Sequence, residues 1–458
     1  MKTRTTTNQR LPRTSRAVAT MRAPWRAALG AAILLLANLA APGAVGAGPP
    51  VGRATEPPEG RATESGPYQV HGPPGRIALT HANVVDVRSG DILPNAIVLL
   101  REGVIGEVGA AAVPAGYEEI DLDGAYLLPG LMDAHTHLDG RSQARRAVES
   151  GVTTVRSASV GSYKDVVLRE LVREGYIAGP DVLAAGVFIT PELGDSVLAD
   201  PALGELIGGV NTPEELRLVV RVNLSHGVDF IKTRGTERAS LPDTDPRKQT
   251  YTEQQLRVIV EEAATRNVPV EAHAHGDEGA RAAVLAGVRS IEHGTYLSDE
   301  TLELMKERGT FLVPTYRTVV DLVEPGGEYD DPVLLVRGMH MLPRLAQTVR
   351  RAHDIGVKLV TGADTGYGPT SVTRVSHEVA AFVELGLTPL EAIQSATLVT
   401  AELFGIENRT GAIEAGLEAD LIVVPTNPLE DIVALQDVVV VISNGRVALN
   451  RLPFAIGG

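Results

Sequence analysis

The chain has 458 residues, 44% hydrophobic and 22% charged, with no cysteine and a net charge of −15. That length allows a large catalytic domain and a smaller one, and the composition excludes collagen-like, fibrous and wholly disordered chains. Without cysteine there is no disulfide scaffold, thiol nucleophile or iron–sulfur cluster, and the acidic balance argues against a nucleic-acid or anionic-membrane partner.

Residues 1–47 hold seven basic residues and no acid, so the remainder is more negative by seven, at −22. The apolar stretch AALGAAILLLANLAAPGAVGA (27–47) follows the basic run and ends in small residues, the layout of a secretory signal. About 15 residues precede Pro42, short of the ~20 that a spanning helix needs, so cleavage near Ala47 is expected rather than an anchor. Translation starts at Met1 or Met21, and the mature protein is expected to be exported, periplasmic or secreted. Residues 48–76 are rich in Pro, Gly and charge and repeat GRATE, which reads as a disordered linker.

From Ile77, short β-branched runs separated by Gly, Pro, Asn and Asp predict several strands over 77–130. The C-terminal part has the same texture, ADLIVVPTNP and then DVVVVISNGRVAL, with Asn444-Gly445 as a hairpin turn. Neither end alone holds enough strands for a core, so 77–130 and 386–458 are expected to complete one β-sandwich domain.

Between them, residues 131–385 alternate short apolar strands with helices. The strands are LMDAHTH, GVTTVRS, DVLAAGV, VDFIKT, VPVEAHA, VRSIEH, TFLVPT and VKLVTGAD. Eight strand–helix repeats in ~250 residues predict an α/β fold of the eight-stranded (β/α) TIM-type barrel class. Capping boxes at Thr212–Glu215 and Thr252–Gln255, and a helix from Ser298 to Gly309, support the count. An open doubly wound sheet fits less well, because no Gly-rich phosphate loop follows the first strand.

Polar residues fall at the C-terminal ends of these strands, where barrel enzymes keep their chemistry. His135 and His137 are two apart on an extended segment and share one face. Lys232 ends VDFIK, His273 ends VPVEAH, His293 ends VRSIEH and Asp364 ends VKLVTGAD. Singly, each reads as a hydrogen-bonded core histidine, a surface lysine or a helix cap. Together, four histidines, a lysine and an aspartate from five strands converge on one barrel mouth.

The stretches LLPGLMDAHTHLD, GVTTVRS, VDFIKTRG, VEAHAHGDEGARAAVLAGVRSIEHGT, LVPT, LVTGADTG, SATLVTAELFGI, GAIEAGLEADLIVV and VISNGR resemble the amidohydrolase superfamily. The similarity is to the branch of imidazolonepropionase-like proteins and Xaa-Pro or Xaa-Arg dipeptidases, and it covers nearly everything after residue 77. The resemblance implies two divalent metals: His135 and His137 on the buried one, a carboxylated Lys232 bridging the pair, His273 and His293 on the second, and Asp364 as ligand and proton shuttle. It also implies a homo-oligomer, although no self-association motif is visible. Two departures stand out. Ala158-Ser159 follow GVTTVRS where many relatives carry an acid and glycines, and ITPELGDS replaces a Gly-Gly-His segment.

The chemistry also stands on general grounds. Paired divalent ions ~3.5–4 Å apart lower the pKa of a bridging water and polarise a carbonyl. Imidazole and carboxylate donors suit zinc, and Mn or Co fit similar ligands. Asp364 is the expected general base and then acid. His275, two residues after His273, is a candidate for substrate contact, transition-state donation or support of a ligand, and Tyr251, before the helix after the Lys232 strand, resembles a family tyrosine near the substrate whose hydroxyl would steady the oxyanion. Arg317 is a candidate for holding a substrate carboxylate. The expected activity is hydrolysis of a small-molecule amide: a dipeptide, an N-acyl amino acid or an amide of the ochratoxin type. The alternatives are a one-metal cyclic-amide hydrolase or deaminase, which does not need Lys232, and an exported binding protein on an inactive barrel.

Overall fold

The computed structural model describes residues 74–324, 331–369, 371 and 373–452, all within one compact unit spanning residues 63–458. The expected leader at 1–47, and the expected linker up to residue 73, lie outside the described residues.

The chain begins as a sheet. β1 (Arg76–Val85) runs antiparallel to β2 (Ile92–Arg101), which pairs with β3 (Val104–Val108). β4 (Glu118–Asp121) and β5 (Tyr126–Pro129) lie parallel to β1.

The chain then enters parallel sheets wrapped by helices. β6 (Leu131–Thr136), β7 (Val152–Ser157) and β8 (Asp181–Ala184) form one of three strands. Between them lie α1 (Arg141–Glu149) and α2 (Lys164–Arg173). The second sheet holds β9 (Ile231–Arg234), β10 (Val270–Gly276), β11 (Ser290–Tyr296) and β12 (Phe311–Val313). Its helices are α3 (Pro213–Ser225) before β9, then α4 (Glu253–Ala264), α5 (Asp277–Ala286) and α6 (Asp299–Arg308). Both expected capping boxes form, Thr212 with Glu215 and Thr252 with Gln255, each satisfying backbone donors that a bare helix end leaves open. Gly309 ends α6 in the left-handed region at φ 68°. β6, β7 and β10 are buried along their whole length, as parallel strands covered on both faces are.

After β12 come α7 (Tyr316–Asp321), α8 (Pro332–Ile355), α9 (Val375–Glu384), α10 (Pro389–Ser395) and α11 (Leu398–Phe404). Residues 357–364, expected as the eighth strand, and Thr365 after them make only isolated parallel bridges, Leu359 to Leu312 and Thr365 to Thr136. The physical reason is that side chains interrupt the ladder. Ala134 N–H reaches Thr361 O at 3.0 Å, but Ala363 N–H donates to the Asp133 carboxylate at 2.9 Å, and Asp364 turns to φ 46°.

The chain returns to the first sheet through β13 (Leu421–Val424), β14 (Val440–Ser443) and β15 (Arg446–Asn450), with Asn444 and Gly445 both at positive φ in the hairpin turn. The order is β15-β14-β13-β5-β1-β2-β3, with β4 beside β1. Both chain ends therefore share one sheet, not two stacked ones. It curls: Val104 bridges Glu418, Ile105 N–H donates to Leu417 O at 2.8 Å, and no Cβ fits where Gly445 meets the Gly103 backbone. Leu79, Val98, Leu100, Leu127, Leu421 and Ile442 fill its concave side.

Candidate metal centre

Strand ends place the histidines. His135 on β6 and His137 just beyond it lie on either side of Asp364: His137 Nε2 is 3.1 Å and His135 Nε2 3.5 Å from Asp364 Oδ1. His273 and His275 on β10 and His293 on β11 form a second group, with the His275 and His293 rings stacked at 4.6 Å between centroids. In each group, His135–His137–Asp364 and His273–His275–His293, potential ligand atoms lie within 4.8 Å of one another.

Each ring is held by one nitrogen. His135 Nδ1 meets Glu292 Oε2 at 2.7 Å, and His137 Nδ1 meets Ser159 O at 2.7 Å. His275 Nδ1 and His293 Nδ1 meet the hydroxyls of Thr295 and Thr315 at 2.8 and 2.7 Å. His273 is held through Nε2, 3.2 Å from Glu237 O. The other nitrogen of each ring faces the site, that of His137 meeting Asp364 Oδ1 at 3.1 Å, the arrangement that fixes tautomer and aim in metal sites. Burial, and then repulsion from the neighbouring cationic forms, pushes His273 and His293 well below the usual imidazole range, and burial outweighs the pull of Asp364 to bring His275 to about 3. They are neutral at pH 7, the metal-binding form. Burial would raise Asp364, but His135, His137 and Lys232 outweigh it and hold the carboxyl at about 2.

Lys232 on β9 is buried beside both groups. Its Nζ is 3.0 Å from Glu271 Oε1, yet neither atom is in hydrogen-bonding geometry with any partner. A buried ammonium without an acceptor is costly, whereas a carbamate on that nitrogen supplies oxygens for metal. Neutral imidazoles, one ionised carboxylate and this orphaned amine fit divalent cations that take nitrogen and oxygen donors. His293, Thr315, Asp364 and Ser159 all adopt positive φ. For a β-branched residue such as Thr315 that is a true outlier, and such outliers gather at functional sites.

The sequence profile of the amidohydrolase family matches residues 126–448. The chain belongs to the amidohydrolase family. It is a metal-dependent hydrolase acting on carbon–nitrogen bonds, with the family's architecture of a TIM-type barrel and a smaller domain. It is 31% identical to an ochratoxinase from Aspergillus niger over 410 residues, covering 79% of this chain and 84% of the relative. An imidazolonepropionase from Kosmotoga olearia is 26% identical over 399 residues, covering 79% and 92%. Among solved structures, a Xaa-Pro dipeptidase with bound methionine in its active site superposes with a TM-score of 0.73 at 30% identity, over 82% of this chain and all of that one.

The amidohydrolase centre opens into a cavity of about 120 Å³ lined by all six residues expected as ligands and by His275. Two other nominated residues are placed elsewhere. Tyr251 is fully buried, donates its hydroxyl proton to Val210 O at 2.8 Å and does not line the cavity. Arg317 is turned to Glu324 at 3.2 Å, while its backbone N–H caps onto Glu378.

A layer of buried charge beneath the ligands was not singled out in the sequence. Arg156 Nη2 lies 2.8 Å from Glu292 Oε1, and its Nε is 2.8 Å from both Ala134 O and Glu271 Oε2. Burial would raise Glu292, but Arg156, His135 and Lys232 hold it below the ordinary carboxylate range. Asp133 accepts from His135 N–H, Ala363 N–H and the Tyr367 hydroxyl, and burial pushes it up to about 7. The available signal was a charge inside each apolar strand: Asp133, Arg156, Glu271 and Glu292.

Proposed function

We propose that the protein is a binuclear amidohydrolase that cleaves the amide bond of N-acyl amino acids or dipeptides. In this reading Lys232 is carboxylated and the resident ions are zinc. The observation that carries it is Lys232 Nζ, buried between two histidine groups with Glu271 at 3.0 Å its ion-pair partner but out of hydrogen-bonding geometry. A one-metal cyclic-amide hydrolase or deaminase has no use for that amine. We further propose that residues 357–364 complete an eight-stranded barrel over 131–385, with 77–130 and 386–458 as the smaller domain. The mature chain is exported, periplasmic or secreted, and assembles as a homo-oligomer.

Two divalent ions, when bound, supply Lewis acidity to the amide carbonyl and acidify water. The chain's own residues do the rest. Asp364 takes a proton from the water whose oxygen bonds to the carbonyl carbon. It returns that proton to the nitrogen as the C–N bond breaks, so carboxylic acid and amine leave with atoms balanced. Glu292, Ser159, Thr295 and Thr315 keep the imidazoles aimed. His275 lines the cavity, and with the Thr295 hydroxyl donating to its Nδ1 it presents Nε2–H to the oxyanion.

The test is a panel of dipeptides and N-acyl amino acids, with cyclic ureas and lactones as controls, before and after chelation. The reading expects turnover of linear amides, loss on chelation and return with zinc. Faster turnover of the cyclic controls contradicts it.

A further inference from the structure

Among the described residues, the mouth cavity is lined by one acid, Asp364, and two cations, Lys232 and Arg238. Lys232 is enclosed beside Glu271. Arg238 is exposed, and its side chain makes no hydrogen bond or ion pair among the described residues. Of its cationic neighbours, Arg234 is half-buried against the Phe188 ring with its Nε unpaired, and does not itself line the cavity, while the others are engaged. Arg337 donates to the carbonyls of Ala239, Leu241, Pro242 and Thr244 at 2.5 to 3.1 Å. Lys248 pairs with Glu237 at 2.6 Å, Arg247 with Asp245 at 3.0 Å, and Arg317 with Glu324.

The backbone around Arg238 is tied down while its side chain is not. Thr244 Oγ1 donates to Arg238 O at 2.6 Å, and Glu237 N–H to Lys248 O at 3.0 Å. Glu237 O, one residue before Arg238, receives the His273 ring proton at 3.2 Å. The loop that carries Arg238 is therefore set in register with the metal centre, and Arg337 locks its far side to α8. A fixed backbone with an unspent guanidinium at the cavity is a preorganised carboxylate receptor, because the planar fork matches two carboxylate oxygens. It also lets a chain of strongly negative charge take an anionic substrate through a local donor.

We infer that Arg238 binds the free carboxylate of the amino acid on the leaving-amine side of the scissile amide. This rests on the hydrolase reading above and adds a residue that selects the substrate. Phe188, Val319 and Leu322 also line the cavity, so an apolar amino acid is the suitable probe.

The experiment compares N-benzoyl-L-leucine with N-benzoyl-L-leucinamide, following benzoate release by the metal-loaded wild type, Arg238→Met and Arg238→Lys. Calorimetry with L-leucine and with 3-methylbutylamine, which lacks the carboxylate, accompanies it. Wild type is expected to prefer the free acid by at least ~10-fold in kcat/KM, chiefly through KM. Arg238→Met brings that ratio close to one and weakens L-leucine at least ~10-fold with little change for the amine, while Arg238→Lys keeps part of both. The inference is overturned if wild type shows no acid preference, or if a folded Arg238→Met keeps the preference and the L-leucine affinity. If benzoate is released from neither probe yet L-leucine binding still depends on Arg238, the hydrolase reading fails and the carboxylate site stands.

Discussion

The two ends of the barrel put their polar side chains to opposite use. At the foot lies the larger cavity, about 670 Å³, lined by Arg156, Arg169, Arg289, Arg409, Asp181 and Asp229 among others. Its charges satisfy one another: Arg169 meets Asp229 at 2.5 Å, Arg409 meets Glu418 at 2.9 Å and Asp181 at 3.4 Å, and Arg289 caps Glu402 O at 2.7 Å. At the mouth, the cavity of about 120 Å³ is lined by imidazoles most of which are anchored on one nitrogen only, a lysine out of hydrogen-bonding geometry with the carboxylate beside it and an arginine without a partner among the described residues. Volume alone points to the wrong end. Unspent donors mark where the chemistry is.

If that contrast is real, substitutions should hurt in order of distance from the mouth. Asp364→Asn keeps the shape and removes the proton acceptor, so kcat should fall at least ~10²-fold. Circular dichroism should remain that of wild type; full turnover in a folded variant removes Asp364 from the mechanism.

The layer between the two ends comes next. Glu292→Gln takes the negative charge from between Arg156 and His135, and removing one partner of a buried pair costs about 3–5 kcal/mol. Urea unfolding should show that loss, and metal retention should weaken as His135 loses its anchor. An unchanged midpoint with full metal content means that this layer is filler.

Near the foot, one carboxyl should show itself through pH. Burial, with Asp181 beside it, raises Asp420 above the ordinary carboxylate range. The folded state then holds a proton that the unfolded chain loses near pH 4, so Asp420's contribution is full below that pH and is lost as pH rises towards the raised value. Asp420→Asn should flatten the fall, leaving the variant the more stable one at pH 8. A parallel pH profile for both proteins refutes this. Smallest of all, Arg173→Ala at the foot removes only exposed pairs with Glu170 and Glu174. It should cost below about 1 kcal/mol and leave turnover unchanged.

The same contrast explains what the sequence showed and what it hid. The six strand-end residues were legible because each is polar at the end of an apolar run, and H-x-H fixes two on one face. His275 followed from alternation on β10. The buried layer was not legible, since Arg156 meets Glu292 across 136 positions and His135 meets it across 157. Tyr251 and Arg317 looked well placed by spacing, but a backbone carbonyl and a glutamate nearer to hand took their donors. Arg238 lies on a loop without periodicity, and only three-dimensional packing shows that it reaches the cavity with its side chain unpaired among the described residues. The curled sheet was read as a sandwich because strand texture gives the number of strands but not which edges meet.

The central claim is that Lys232 carries a charge that bridges two ions, and metal content per chain tests it most directly. Wild type, purified with bicarbonate and zinc, should hold two ions per chain. Lys232→Ala should hold one or none, with activity below detection, and short carboxylic acids at high concentration should restore part of both. Two ions retained by Lys232→Ala with near-normal activity would contradict the account.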